Sequence, residues 1–369
     1  MTKSVAFSLW EKNQKLTKKF VKIIKFGKNG DILAKFSMIH FKYRDLISIE
    51  GLFQAWNEFK KGKRKKKDVQ TFERRLEDNL FDLHLSLKDK TYRHGGYQEF
   101  YVRDPKRRHI HKACVRDRIV HHLLYKFLYD LWDKSFIYDS YSCRLGKGTH
   151  KAVTRLVKFV CRVSKNYTGG CWALKGDIKK FFTVVDHEIL LSLLFKKIID
   201  KNILQLLQKV IDSFNSEMGE GKGIPLGNLT SQVFANIYLN KLDQFIKHGM
   251  KIKCYLRYAD DFVILDKERK RLEALVPKIS EFLKTELKLS LHPDKIIFRK
   301  HTWGIDFLGY IVLPYCVLPR TKTKRRVFKK LKEKINSPNF NESLQSYLGY
   351  LSHSNSYLLA RRIKMLKLL

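Results

Sequence analysis

The stretch from Cys254 to Leu265, CYLRYADDFVIL, restricts what this chain can become more than any other. Two adjacent carboxylates, Asp260 and Asp261, stand between apolar runs: Tyr255, Leu256 and Tyr258 before them, Phe262 to Leu265 after. β-Branched and aromatic residues on both sides predict two strands meeting at a tight turn, with the acids at its tip. Side by side, two aspartates repel each other and gain nothing from packing. A hard divalent cation such as Mg²⁺ removes that penalty, because it prefers carboxylate oxygens. A bare Asp-Asp pair also suits a solvent-facing turn, and so short a motif decides nothing alone. The Tyr-Ala before the pair and the apolar strands around it favour the metal.

Charge narrows the partner. Across 369 residues, 75 Lys+Arg stand against 36 Asp+Glu, a net charge of +39. Such a field favours a polyanion, nucleic acid first and an anionic membrane surface second. The longest apolar stretch, around Ile189 to Phe195, is far too short to span a bilayer, so no membrane partner is expected. The opening MTKSVAFSLWEKNQ has neither an h-region nor a small-residue cleavage site, which predicts a cytoplasmic protein. Six cysteines without any CxxC spacing read as reduced core residues, neither disulfides nor zinc ligands. His109 and His111 form an HxH pair and His121 and His122 an HH pair, yet no carboxylate or cysteine is seen to complete a site. Structural or RNA-stacking histidines are expected. Gly146-Lys147-Gly148-Thr149 lacks P-loop spacing, which excludes a nucleoside triphosphatase of that kind.

Periodicity supplies the coarse elements. Leu16 to Phe26 reads as a basic amphipathic helix and Lys28 to Asp31 as a turn. Leu52, Phe53 and Trp56 mark a helix over Gly51 to Lys60, which runs into a lysine-rich segment to Lys67. That segment is either a solvated loop or a phosphate contact. Phe72, Leu76, Leu80, Leu83 and Leu87 predict one amphipathic helix from Val69 to Leu87. Tyr92 to Ile110 suggests a hairpin turning at Asp104-Pro105, and Val115 to Leu131 a helix. Trp172 to Leu174 is a short strand with Asp177 at its end; Ile189 to Phe214 reads as two helices. A glycine-bearing loop, Gly223 to Gln232, leads into a helix that Ser or Thr can cap. Another helix covers Arg269 to Leu287.

Beyond these local readings, YADD resembles the YxDD box of reverse transcriptases, and the remaining motifs follow that family's order. Asp177 falls where family members carry the aspartate that joins the pair around two Mg²⁺ ions, so the resemblance implies metal ligands Asp177, Ile178, Asp260 and Asp261. Three carboxylates from separated strands are also what two-metal phosphoryl transfer requires. Arg108 and the Arg116-Asp117-Arg118 run resemble the fingers of group II intron-like members, implying triphosphate contacts from Arg108 and Arg116. Salt bridges to Asp104 and Asp117 are the other reading of those arginines. Phe182 falls on the steric-gate position, though core packing suits it too; YSCRLGKGTH resembles SYGFRxGxxxH, with Ser142-Cys143 replacing Gly-Phe. Lys295 falls where such polymerases keep a lysine that protonates pyrophosphate, a plain phosphate contact being the alternative. Phe307-Leu308-Gly309-Tyr310 looks like the primer-grip turn.

Most members have Gln-Gly-x-x-x-Ser-Pro where this chain has Leu226, Gly227, Ser231 and Gln232. That departure resembles the reverse transcriptases of diversity-generating retroelements, and places Leu226, Gly227 and Gln232 in the nucleotide pocket. The expected fold is α+β: a right-hand polymerase with fingers, an antiparallel-sheet palm backed by helices and a short helical thumb. Expected boundaries are an unassigned extension over 1–45, fingers over 46–170, palm over 171–318 with a fingers insertion near 189–222, and thumb over 319–369. Nothing after that thumb has room for an RNase H, endonuclease or maturase domain. The implied activity is RNA-directed DNA synthesis from dNTPs on a template-repeat RNA, through an RNA/cDNA duplex, with errors directed at adenines. A small basic accessory oligomer, pentameric in that family, is implied as partner in a ribonucleoprotein. Rivals are a retron-like or phage-defence reverse transcriptase of ordinary fidelity, and a catalytically silent RNA-binding scaffold.

Overall fold

β5 (Asp261–Asp266) carries an unbroken apolar run because both its faces are covered. The computed structural model describes residues 42–103 and 107–367, with the side chain of residue 367 excepted. The expected helix over Leu16 to Phe26, the turn at Lys28 to Asp31 and the tip at Asp104-Pro105 lie outside these residues. In β5, Phe262 and Ile264 enter one apolar cluster, while Val263 and Leu265 enter another. Alternate residues of a strand point to opposite faces, so β5 stands between two cores.

Its neighbours do the same. β3 (Trp172–Asp177), β4 (Tyr255–Tyr258) and β6 (Ile297–Lys300) complete an antiparallel sheet ordered β4-β5-β3-β6. One face packs on the helices Leu229–Gln244 and Arg269–Leu287 through Leu174, Tyr255 and Phe262. The other packs on the helix Thr149–Val163 and on a three-stranded sheet of β7 (Ile305–Phe307), β8 (Tyr310–Leu313) and β9 (Cys316–Pro319). Gly176 pairs with Phe262, and a Cβ there would sit 2.3 Å from the phenyl ring. Only glycine lets the ring lie across the strand. The α+β class and the helix-backed antiparallel sheet agree with the expected fold.

A hairpin of β1 (Tyr97–Val102) and β2 (Arg108–Ala113) precedes the helix Val115–Trp132. The single helix expected over Val69 to Leu87 is instead two, Lys67–Glu73 and Leu76–Lys88. Arg75 leaves helical geometry at φ −126°, and Asn79 Nδ2 donates to Phe72 O at 3.0 Å, satisfying a carbonyl that the break releases. Periodicity survived the break because Leu80, Leu83 and Leu87 still face the core. The helices Thr321–Glu333, Phe340–Leu351 and Tyr357–Lys364 build a third, separate cluster around Val327, Leu331 and Ile363. Among the described residues, no helix is long and apolar enough to cross a membrane.

Candidate active site

The register of β3 against β5 sets Asp177 directly opposite Asp261. Asp260 occupies the turn from β4, after Ala259 at φ +53°. Ile178 N donates to Asp260 O at 3.3 Å, and Asp177 O accepts His292 N at 2.8 Å, so backbone bonds tie the acid-bearing segments together. Asp177, Asp260 and Asp261 thus share one end of the sheet, although Asp177 lies more than eighty residues before the adjacent pair.

The electrostatics are those of crowded, half-desolvated acids. Burial, then the charges of Asp177 and Asp261, push the Asp260 carboxyl up to about 6. Burial also raises Asp261, against the pull of Lys175, whose Nζ lies 3.9 Å from Oδ1. Lys295 Nζ donates to Asp177 Oδ1 at 2.7 Å. Lys295 therefore stands on a candidate metal ligand, a contact that neither sequence reading of it foresaw. Three carboxylates gathered at one sheet end, with Asp260 and Asp261 raised by burial and by their acidic neighbours, fit a hard divalent cation. They do not all crowd one point: among the described residues, only Glu99, His109 and His111 bring ligand atoms within 4.8 Å of one another. Two ions about 3.5–4 Å apart, as in two-metal sites, need no single point.

Asp260 predicts an observable pH dependence. The folded chain keeps this proton to a higher pH than the unfolded chain, so its binding stabilises the fold below about pH 4. That contribution drains away as pH rises toward about 6. In EDTA, wild type should lose melting temperature relative to Asp260→Asn as pH rises through this window. Mg²⁺ at neutral pH should restore wild type and leave the asparagine variant almost unmoved. Parallel pH curves for the two proteins would contradict the crowded-acid reading.

Around the acids, Phe182 lies in the short helix Phe181–Val184, its ring half-buried against Phe181 at 5.3 Å. Its carbonyl accepts Ile224 N at 2.8 Å, which ties it to the loop bearing Leu226. Leu226 O accepts His111 N at 2.9 Å, and a Cβ on Gly227 would meet Ile110 Cγ2 at 2.7 Å. The glycine thus permits close approach of the hairpin. Gln232 is exposed on the first turn of Leu229–Gln244. The expected Ser or Thr cap is absent: Asn228 is the N-cap, and its side chain bonds Ala113 N and His111 O instead. Ser231, inside the first turn, donates to Pro225 O at 2.7 Å.

The two arginines part company. Arg116 donates to Arg93 O at 2.7 Å and pairs with Asp117 at 3.3 Å, as the salt-bridge reading allows. Arg108 opens β2 exposed, with no side-chain partner among the described residues, which do not include Asp104, the partner that its salt-bridge reading names. In the β7–β8 turn, Phe307 and Tyr310 are fully buried and only Leu308 and Gly309 reach the surface. Tyr350 Oη donates to Gly309 O and Tyr310 Oη to Tyr350 O, both at 2.8 Å, clamping the turn to Phe340–Leu351. Phe307 and Tyr310 hold the turn from behind.

Two constellations escaped the sequence reading. Glu99 pairs with His111 across the hairpin, supplying the carboxylate that HxH seemed to lack. Arg257 and Asp243 form a fully buried ion pair behind the acid turn, with Arg257 Nη1 donating to Ala259 O at 2.9 Å. Arg257 sits in the YLRY strand, on the same face as Tyr255; its partner Asp243, on the preceding helix Leu229–Gln244, carries no signal that marks it for this pairing.

Residues 103–312 match the family model described as reverse transcriptase (RNA-dependent DNA polymerase). The chain is 28% identical over 233 residues to Protein YkfC of Escherichia coli (strain K12), covering 53% of this chain and 61% of that one. It is 23% identical over 303 residues to the group II intron-encoded protein LtrA of Lactococcus lactis subsp. cremoris, covering 63% of this chain and 49% of LtrA. It spans less than two thirds of the length of either. The apo telomerase from Candida Tropicalis superposes on 73% of this chain and 56% of its own, at 14% identity and a TM-score of 0.49.

Proposed function

The chain belongs to the reverse transcriptase (RNA-dependent DNA polymerase) family, and from that premise we propose that it copies an RNA template into cDNA from dNTPs. The carrying observation is the meeting of Asp177, Asp260 and Asp261 at one sheet end, with Asp177 opposite Asp261 in register and the Asp260 carboxyl pushed up to about 6 by burial and its two acidic neighbours. In this reading residues 171–318 form the palm, 46–170 the fingers and 319–369 the thumb. The three acids would hold two Mg²⁺ ions, which when bound would supply activation of a 3′-hydroxyl and neutralisation of leaving pyrophosphate. Lys295, which pairs with Asp177, would in this reading turn to phosphate once that carboxylate is otherwise occupied; the pairing beside the acids supports it. Arg108, exposed and unpartnered among the described residues, is the hairpin's cation for the triphosphate. Phe182, fixed to the Leu226 loop, excludes a 2′-hydroxyl. The test is extension of a DNA primer annealed to RNA, with dNTPs and Mg²⁺. Template-length cDNA is expected, and no extension on any RNA would overturn the reading.

More finely, we propose the mutagenic chemistry of a diversity-generating retroelement, with a template-repeat RNA and a basic accessory oligomer bridged by that RNA. Leu226 supports this. A glutamine there would offer an amide to the nucleotide pocket; leucine offers only apolar contact, so a mispair loses less relative to a match. About 1.4 kcal/mol of lost discrimination is a tenfold rise in error. Wild type should misincorporate mainly opposite template adenine, and Leu226→Gln should lower that error more than errors at the other bases. Equal, low error at all four bases in sequenced cDNA would favour an ordinary intron-type enzyme, the reading to which the likeness to LtrA points.

A further inference from the structure

One face of the hairpin carries a cluster that the proposed DNA synthesis does not use. His109 and His111, two residues apart on β2, point to the same face, and Glu99 lies opposite His111 on β1. His109 Nε2 is 3.0 Å from Glu99 Oε2, and His111 Nε2 is 3.7 Å from Glu99 Oε1. The second gap is too long for a hydrogen bond. Ligands bound at about 2.0–2.2 Å to one tetrahedral zinc stand roughly 3.3–3.6 Å apart; the two contacts, one to each Glu99 oxygen, fall on either side of that spacing, and one ligand atom from each residue lies within 4.8 Å of the others.

The rings are held in place for such a task. His109 stacks on Tyr101 at 4.5 Å and 9°, and His111 packs edge-on to Phe214 at 4.7 Å. His111 Nδ1 is buried without a hydrogen-bond partner, so Nε2 is the ring's polar outlet, and it faces Glu99. Two imidazoles with one carboxylate suit a borderline metal such as zinc and not Mg²⁺, which prefers all-oxygen ligands. We propose that Glu99, His109 and His111 form a zinc site that staples β1 to β2, leaving the fourth position to water. The staple lies next to Arg108 and to the His111–Leu226 backbone bond, so occupancy fixes the hairpin on the Leu226 loop.

The test needs no polymerase activity. Chelator-stripped full-length protein is given Zn²⁺ in Mg²⁺-containing buffer, gel-filtered, and its metal measured by mass spectrometry alongside melting curves. Wild type and Asp260→Asn should each retain about one zinc and melt higher with it. Glu99→Gln and His109→Ala should lose affinity at least about tenfold, the order by which metal sites weaken when a supporting group is removed. Glu99 and His109 side chains are 58% and 37% exposed, so the metal-free variants should melt as wild type does. Failure of wild type to retain zinc, or loss of it in Asp260→Asn but not in Glu99→Gln, would overturn the proposal.

Discussion

Asp261→Asn is expected to reduce primer extension at least about a thousandfold, some 4 kcal/mol of barrier. Asparagine keeps the shape and the β-register opposite Asp177 but removes the charge that would hold a cation against it. Template binding should barely change, because a net charge of +39 spread over the chain dominates affinity for phosphate backbone. The variant should also be more stable than wild type in EDTA at neutral pH, since burial and Asp177 already disfavour the Asp261 charge. Stability gained where activity is lost is the signature of an acid kept for its chemistry. Asp260→Asn should behave alike. Extension within about tenfold of wild type in both variants would end the polymerase reading, because two-metal chemistry needs the carboxylate that each variant lacks.

How much of this was legible beforehand depends on how far each signal travels along the chain. The strand–turn–strand around Asp260 was readable because its pattern is local: apolar runs on both sides of two acids. Asp177 became readable only through family resemblance, since nothing in WALKGD says which strand it will lie against. The break at Arg74–Arg75 was hidden, because both halves kept the same apolar face and the Asn79 bond that supports it is invisible to periodicity. The cap was misread for a related reason. Asn228 is an obvious cap by type, but it spends its side chain on the hairpin more than a hundred residues earlier. Glu99 was missed because hairpin register, unlike strand alternation, depends on a turn whose sequence did not specify its length. Tertiary partners, in short, follow from pairing and packing that no window of residues contains.

Arg257 is the second large effect, and it separates fold from function. Its guanidinium is fully buried, donating to Asp243 Oδ1 from Nε at 2.8 Å and to Oδ2 from Nη2 at 2.6 Å. Tyr255 Oη donates to the same carboxylate at 2.6 Å, and Ser140 Oγ accepts from Nη2 at 3.3 Å. Arg257→Met leaves the Asp243 charge buried with, among the described residues, the Tyr255 hydroxyl as its remaining hydrogen-bond donor, and should destabilise the fold by about 3–5 kcal/mol. Adding Asp243→Leu removes that orphaned charge and should recover most of the urea midpoint, as apolar replacement of a buried pair often does. Activity should not return with it. Nη1 also donates to Ala259 O, the residue at φ +53° that aims Asp260, and methionine has no donor to hold that carbonyl. The double variant should therefore fold well, bind RNA, and extend primers at least about tenfold more slowly, the loss of about 1.4 kcal/mol of turn positioning. If it folds and extends at the wild-type rate, the ion pair is only a structural strut and the acid turn keeps its geometry without it.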